Sequence, residues 1–505
     1  MTGWSKLFWL TALLPGVAFA QLPAARLDSV FPSGGLPGTT VEVVISGNDL
    51  DDVDQLLFSQ DGFKVVRKLA EVTPFDEGPQ PVLNTFLVTI PGVPAGNYEV
   101  RCQGKYGLSN PRTFVVGSFP EVVETEPNGG NILPVWTEVT QPDPAKPDTM
   151  LKVKVNPAVE ILALPATVNG QLTAGPDVDW YRFTGQGGQR ILAEGFAKRI
   201  DSRADLVLTL FHENGTILAE NRAFQAGDPL LDVTLPGNGL YFLKVHDSQY
   251  QQGPGYHYRV AIGLLPHLDF VFPPAGLPGS NEEYTVYGRN LPGGQASGLT
   301  LEGRPLDMLK VRIPVPGDIA DKLQFTTRLD PQQGGIDGIE YRVTSGNMTS
   351  NPVLVTAATA PVVLDTGDNN KPAAPQKLTL PCEVMGQFYP QRDVDWFTFD
   401  AKKGEVWAID VTSHRLGLPT DPALVVQRVS VNDKGEPVIT DVVTVDDVVE
   451  QNFGNRTGRH EFDERTGDPQ TLLTVPEDGV YRLLLRDGAS AVRNDPRLVY
   501  RLAIR

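Results

Sequence analysis

Twice in this 505-residue chain, two aspartates one residue apart stand in front of an aromatic pair. Asp177 and Asp179 do so in PDVDWYRF (Pro176–Phe183), and Asp393 and Asp395 in RDVDWFTF (Arg392–Phe399). Residues two apart share one face of an extended strand. Carboxylates that close repel unless a proton or a cation lies between them. Three chemistries are therefore open: a catalytic acid and base, a hard-cation site, or turn aspartates that accept backbone amides just ahead of a strand. A cation such as Ca²⁺ takes roughly six to eight oxygens at about 2.4 Å. Glu124, Glu126 and Asn128 alternate upstream of the first phrase, in ETEPN, and offer more oxygen ligands. Upstream of the second phrase, LDTGDNN (Leu364–Asn370) offers Asp365, Asp368 and Asn369, which replace ETEPN only in part. A glycosidase pair needs a groove that holds its two carboxyls several ångströms apart. Recurrence of the pair at one place in two copies points instead to what each copy needs in order to fold.

Other reactive types are weaker signals. Arg199 and Asp205 are six apart in RIDSRAD, as are Arg415 and Asp421 in RLGLPTD, which predicts an arginine–carboxylate pair across a turn. The six histidines (His212, His246, His257, His267, His414 and His460) form no H-E-x-x-H, so each is expected at the surface or in a loop. No G-x-S-x-G elbow is present. Cys102 and Cys382 have no histidine close by in sequence and read as small buried thiols. Trp180 and Trp396 recur, as do Tyr241 and Tyr481, as core or core-edge residues expect to do.

The elements that position these residues are themselves duplicated. LDSVFPSGGLPGT (Leu27–Thr39) matches LDFVFPPAGLPGS (Leu268–Ser280) at an offset of 241, as Gly47 matches Gly288 and Ser109-Asn110-Pro111 matches Ser350-Asn351-Pro352. Behind each copy lies a second kind of unit. There Asp177 meets Asp393, Arg199 meets Arg415 and Asp205 meets Asp421 at an offset of 216. LPGNGLYFLKVHD (Leu235–Asp247) also matches VPEDGVYRLLLRD (Val475–Asp487). The order is A-B-A′-B′. Changes of offset place an extra 25 residues around Gln141–Ala158 and an extra 24 around Thr444–Asp468, both polar and expected in loops or hairpin extensions. Short runs of Val, Leu, Tyr and Phe, punctuated by 50 glycines and 43 prolines, predict an all-β protein: four tandem β-sandwich modules. The expected divisions are 1–20, 21–117, 118–265, 266–358 and 359–505.

The first twenty residues carry one charge, Lys6, then an apolar run and Ala18-Phe19-Ala20, which reads as a secretory signal cleaved before Gln21. That predicts export to periplasm, cell surface or medium, with no membrane span in the mature chain. A net charge of −18 argues against nucleic acid and anionic membrane as partners and is compatible with divalent cations. Two cysteines far apart make no disulfide framework.

The A units, with the opening Pro/Gly turn, Gly47 and the closing SNPRTFVV, resemble the IPT/TIG family of immunoglobulin-like domains. The B units resemble the bacterial pre-peptidase C-terminal family through ETEPN, DVDWYRF, RIDSRAD, PGNGLYFLKVHD and YRVAI. The tandem is similar to large secreted proteins of planctomycete-type bacteria. The resemblance implies calcium at Glu124, Glu126, Asn128, Asp177 and Asp179, and a second, less complete set at Asp365, Asp368, Asn369, Asp393 and Asp395. It implies a non-catalytic binding or scaffolding protein acting on extracellular polysaccharide or envelope protein through repeated modules. An accessory or targeting role in a secreted protease system is the alternative, and a hydrolase the third.

Overall fold

The computed structural model describes residues 23–71, 78–143, 146–173, 175–223, 227–319, 335–346, 348–447 and 466–505, together with 325, 326, 329 and 333. The proposed signal segment, His460 and most of the second insertion lie outside the described residues. The chain is all-β, with sheets paired face to face around apolar cores. In Thr40–Asn48 the alternation read from sequence holds: Val43 and Ile45 are buried while Glu42 and Val44 point out.

Residues 26–116 form one sandwich. Its first sheet runs Arg26–Phe31, Thr40–Asn48, Pro81–Thr89, Lys64–Leu69; its second runs Gly34–Gly35, Arg112–Val116, Gly96–Gly104, Gln55–Phe58. Gly47 lies opposite Leu27 beside a bulge, where a Cβ would come 1.9 Å from the Arg26 carbonyl oxygen, so only glycine fits. Asn110 bonds both backbone groups of Leu27, accepting at Oδ1 and donating from Nδ2, each at 2.9 Å. Asn351 does the same to Leu268, at 2.7 and 2.8 Å, in the sheets of residues 267–357. The repeated Ser-Asn-Pro is thus a clasp between first and last strands.

Residues 121–263 and 362–504 share one topology. In the former, Glu121–Val123, Ala166–Gln171, His257–Gly263, Arg190–Phe196 and Leu230–Thr234 form one sheet. Val159–Glu160, Asp179–Gly185, Gly239–Asp247, Leu206–His212 and Ile217–Asn221 form the other. The second copy repeats both orders strand for strand, from Val362–Leu364 to Val499–Ile504. The first insertion is a two-stranded hairpin, Thr137–Asp143 against Lys146–Val155. In the second copy the hairpin Pro422–Val431/Pro437–Val445 is longer than its counterpart.

Two sequence expectations are corrected. Arg199 does not pair with Asp205. The short 3-10 turn Lys198–Ile200 folds its guanidinium back over its own strand, onto Glu194 (2.9 Å), Asp228 (3.0 Å) and the Gly195 carbonyl (2.8 Å). Asp205 pairs instead with Lys198 and Arg222. Likewise Arg415 meets Asp410 and Asp468, not Asp421. The buried Asp228 and Asp468 also accept the three backbone N–H groups that open these turns. Both aspartates stand in a Gly-Asp-Pro, at 227–229 and 467–469, a repeated phrase that could have revealed them. Nor are the histidines all superficial: His246, His257 and His267 are buried on strands. Burial pushes His257 down to about 4, so it sits neutral in its strand. Cys102 and Cys382 are buried and free, as expected.

The four stretches touch. Thr113 donates from N and Oγ1 to Asp201, Arg289 reaches Asp232 at 3.4 Å, and Arg501 donates to Thr356 Oγ1. The Asn97 amide donates to the Thr326 carbonyl at 2.8 Å, joining the first stretch to the third.

Candidate metal centre

The parallel pairing of Glu121–Val123 with Ala166–Gln171 fixes the segment that follows it. Glu124 continues the ladder, its amide donating to the Asn169 carbonyl and its Oε1 accepting the Gln171 amide at 2.6 Å. Asp179 opens the strand Asp179–Gly185 in the facing sheet, fully buried, and bridges back to Gly129. Both sheets thereby deliver a carboxylate to one end of the sandwich. Tyr258 donates to Asp179 Oδ2 at 2.5 Å, the Tyr181 and Tyr258 hydroxyls are 2.8 Å apart, and Tyr181 donates to Glu124 Oε2 at 3.4 Å. Gly170 makes room: a Cβ there would lie 2.2 Å from the Tyr258 ring, and Gly386 plays the same part beneath Tyr500.

Carboxylate oxygens of Glu124, Glu126 and Asp179 all lie within 4.8 Å of one another. Asn128 is fully buried, and its Oδ1 and Asp179 Oδ1 have no hydrogen-bond partner. Unpaired buried acceptors are costly, and a hard cation between carboxylates relieves both the repulsion and the missing bonds. The residues present therefore fit Ca²⁺: Glu124, Glu126 and Asp179 would supply charge and Asn128 a neutral oxygen. Asp177 stands apart from this set. Its Oδ2 accepts the Thr173 amide at 2.6 Å and its Oδ1 the Val178 amide at 3.1 Å, so it closes the turn before the strand. The phrase DVD thus divides into a turn former, Asp177, and a buried carboxylate, Asp179.

Burial is the main force on the proton affinities, followed by the neighbouring carboxylates. Without a cation, Glu124 is pushed up to about 8 and Asp179 to about 9.

The second copy keeps the frame and loses ligands. Asp365 takes the place of Glu124, but Gly367 stands where Glu126 does, and Phe397 replaces Tyr181. Tyr500 still donates to Asp395 Oδ2 at 2.7 Å. Asp395 rises to about 8 and Asp393 to about 6, through burial first and Asp365 second. Asp368 is exposed and accepts Thr366 Oγ1. Asn369 is buried, with its Oδ1 unpartnered. Among the described residues, these acids do not reach metal-ligand spacing. An exposed trio, Asp421, Asp446 and Asp447, does reach it; sequence reading missed it because 24 residues separate its parts.

The recurring aromatics serve structure. Trp180 is buried against Phe211 and donates to the Gly130 carbonyl at 2.7 Å, anchoring the loop that carries Asn128. Trp396 is half-buried beneath Arg482.

No family model and no curated protein matches the chain. Solved structures similar to it include the pre-peptidase C-terminal domain of collagenase from Bacillus anthracis, at 20% identity over 21% of this chain and 94% of that one, TM-score 0.18. PliG of Aeromonas hydrophila, a periplasmic inhibitor of g-type lysozyme, matches at 16% identity over 21% and 97%, TM-score 0.16. A Bacteroides ovatus protein, SGBP-B of a mixed-linkage glucan utilization locus, matches at 10% identity over 96% and 76%, TM-score 0.16.

Proposed function

We propose that the chain is an exported, non-catalytic binding or scaffolding protein that acts through repeated β-sandwich modules on extracellular polysaccharide or envelope protein, with a calcium ion stabilising its first B module. One observation carries the reading. The paired carboxyls that looked most like an acid and a base end in fully buried aspartates, Asp179 and Asp395, each held by a buried tyrosine in the same frame. Such groups are closed to a polymer, and Asp179, beside Glu124 and Glu126, is suited to a small cation that the fold encloses. The calcium would tie the Glu124–Asn128 segment to the facing sheet and supply folding energy there, in the way structural metals do.

Purified protein incubated with labelled casein and with a panel of glycans, with and without EDTA, is expected to show no turnover while retaining at least one glycan or envelope protein on an affinity matrix. Measurable hydrolysis that survives further purification would sink the non-catalytic reading.

A further inference from the structure

The four stretches surround a hollow of about 910 Å³ that opens to solvent, and each contributes lining residues. Protein interiors are close-packed, and a gap of this size lies in the range of ligand pockets, about 300–1,000 Å³. Independent beads on a string would make no such gap. It exists because the Asn97–Thr326 bond and the contacts described above close the chain on itself. Its lining is partly apolar, with Phe119, Phe196 and Leu265 from the first half and Leu416, Leu418 and Pro419 from the second.

Its charges are already matched. The lining cations Lys198, Arg199, Arg259, Arg342 and Arg497 pair with Asp205, Glu194, Glu121, Glu340 and Asp495 respectively. An anionic ligand would have to break one of these pairs, at a desolvation cost. Asn97 and Ser118, by contrast, line the hollow with side chains that make no hydrogen bond among the described residues. Neutral donors and acceptors beside aromatic and aliphatic side chains suit a ligand with hydroxyl edges and apolar C–H faces.

We propose that this hollow is a binding site for a neutral polysaccharide chain, assembled only when all four modules are present. The inference rests on the polysaccharide reading above and deepens it. The test is calorimetric titration of the full chain with neutral gluco-, xylo- and manno-oligosaccharides, with polygalacturonate, and with an extended uncharged peptide. Ser118→Trp and Thr349→Trp put bulk into the hollow from two different stretches of the chain, and the melting temperature of each shows that it is folded. The expected result is one neutral oligosaccharide bound per chain, weakened roughly tenfold or more by either substitution. Equal affinity in both folded variants would place the ligand elsewhere and overturn the inference while leaving the polysaccharide reading intact. A preference for polygalacturonate or peptide that the variants abolish would overturn the neutral-sugar assignment. Failure of every polysaccharide to bind the parent chain would remove both.

Discussion

Asp179 and Glu124 give the first B module a pH dependence of unusual sign. Their calcium-free values, about 9 and about 8, lie above the ordinary carboxyl range, so between roughly pH 4 and 9 the folded state holds protons that the unfolded state has released. Stability of the calcium-free protein should therefore fall as pH rises through that window. Asp395, at about 8, adds in the same direction. Glu194 and Asp205, held down to about 2 by their cations, contribute stability that is lost only as pH falls below about 4, outside that window. Calcium bound at the proposed site would displace the retained protons, so the melting-temperature difference between calcium and EDTA should grow from pH 5 to pH 8. At a hundredfold excess over Kd the stabilisation would be about 2.7 kcal/mol. Glu126→Gln, at an exposed position, should remove most of this difference while leaving the EDTA melting curve near that of the parent. A calcium response unchanged by that substitution would argue against the site. A different residue holds the 3-10 turn of the second copy. Arg415→Ala leaves the buried Asp468 without its guanidinium and should cost about 3–5 kcal/mol, read by denaturant unfolding.

At the scale of the element, the copies differ where one residue changes the end of a strand. Gly367, at φ +70°, supplies backbone where Glu126 supplies a carboxylate, so calcium stoichiometry by calorimetry should be one per chain and not two. The hairpin Thr137–Asp143/Lys146–Val155 forms its own two-stranded sheet with mostly exposed side chains. Replacing residues 140–152 with a two-residue turn should leave the melting temperature within a few degrees, since surface changes away from cores are usually worth under about 0.5 kcal/mol each. Much of this layer was legible. Alternation at Val43 and Ile45, the duplicated Ser-Asn-Pro and the repeated DVDW located strands and their equivalence, because period-two patterning survives in any half-buried sheet. The partners of Arg199 and Arg415 were not legible. A short 3-10 turn reverses each guanidinium onto aspartates 29 and 53 residues away, and no local spacing encodes that. The separation of Asp177 from Asp179 was hidden for a related reason: the strand begins between them, so shared parity did not mean a shared face. The candidate metal cluster was partly legible. Glu124, Glu126, Asn128 and Asp179 were marked by alternation and family likeness, but only three-dimensional placement shows Asn128 Oδ1 buried and unpartnered.

At the scale of the whole molecule, the decisive feature is closure. The Asn97 amide meets the Thr326 carbonyl across 229 residues of sequence, and the third stretch is also tied to the second by Arg289 and to the fourth by Arg501. Small-angle scattering should therefore report a compact particle near the expectation for a single globule of this length, well below that of four modules in a line. An extended profile would sink both the closure and the site it makes. Closure also has a consequence for how the protein is made. A chain emerging at about 5–20 residues per second presents Asn97 roughly 10–50 seconds before Thr326 exists to receive it. Through that interval the first sandwich is complete on its own, by way of its Asn110 clasp, yet must keep one strand end unclaimed. The order of synthesis thus sets a waiting time, during which a newly made chain is vulnerable to joining its neighbour on the ribosome instead of itself.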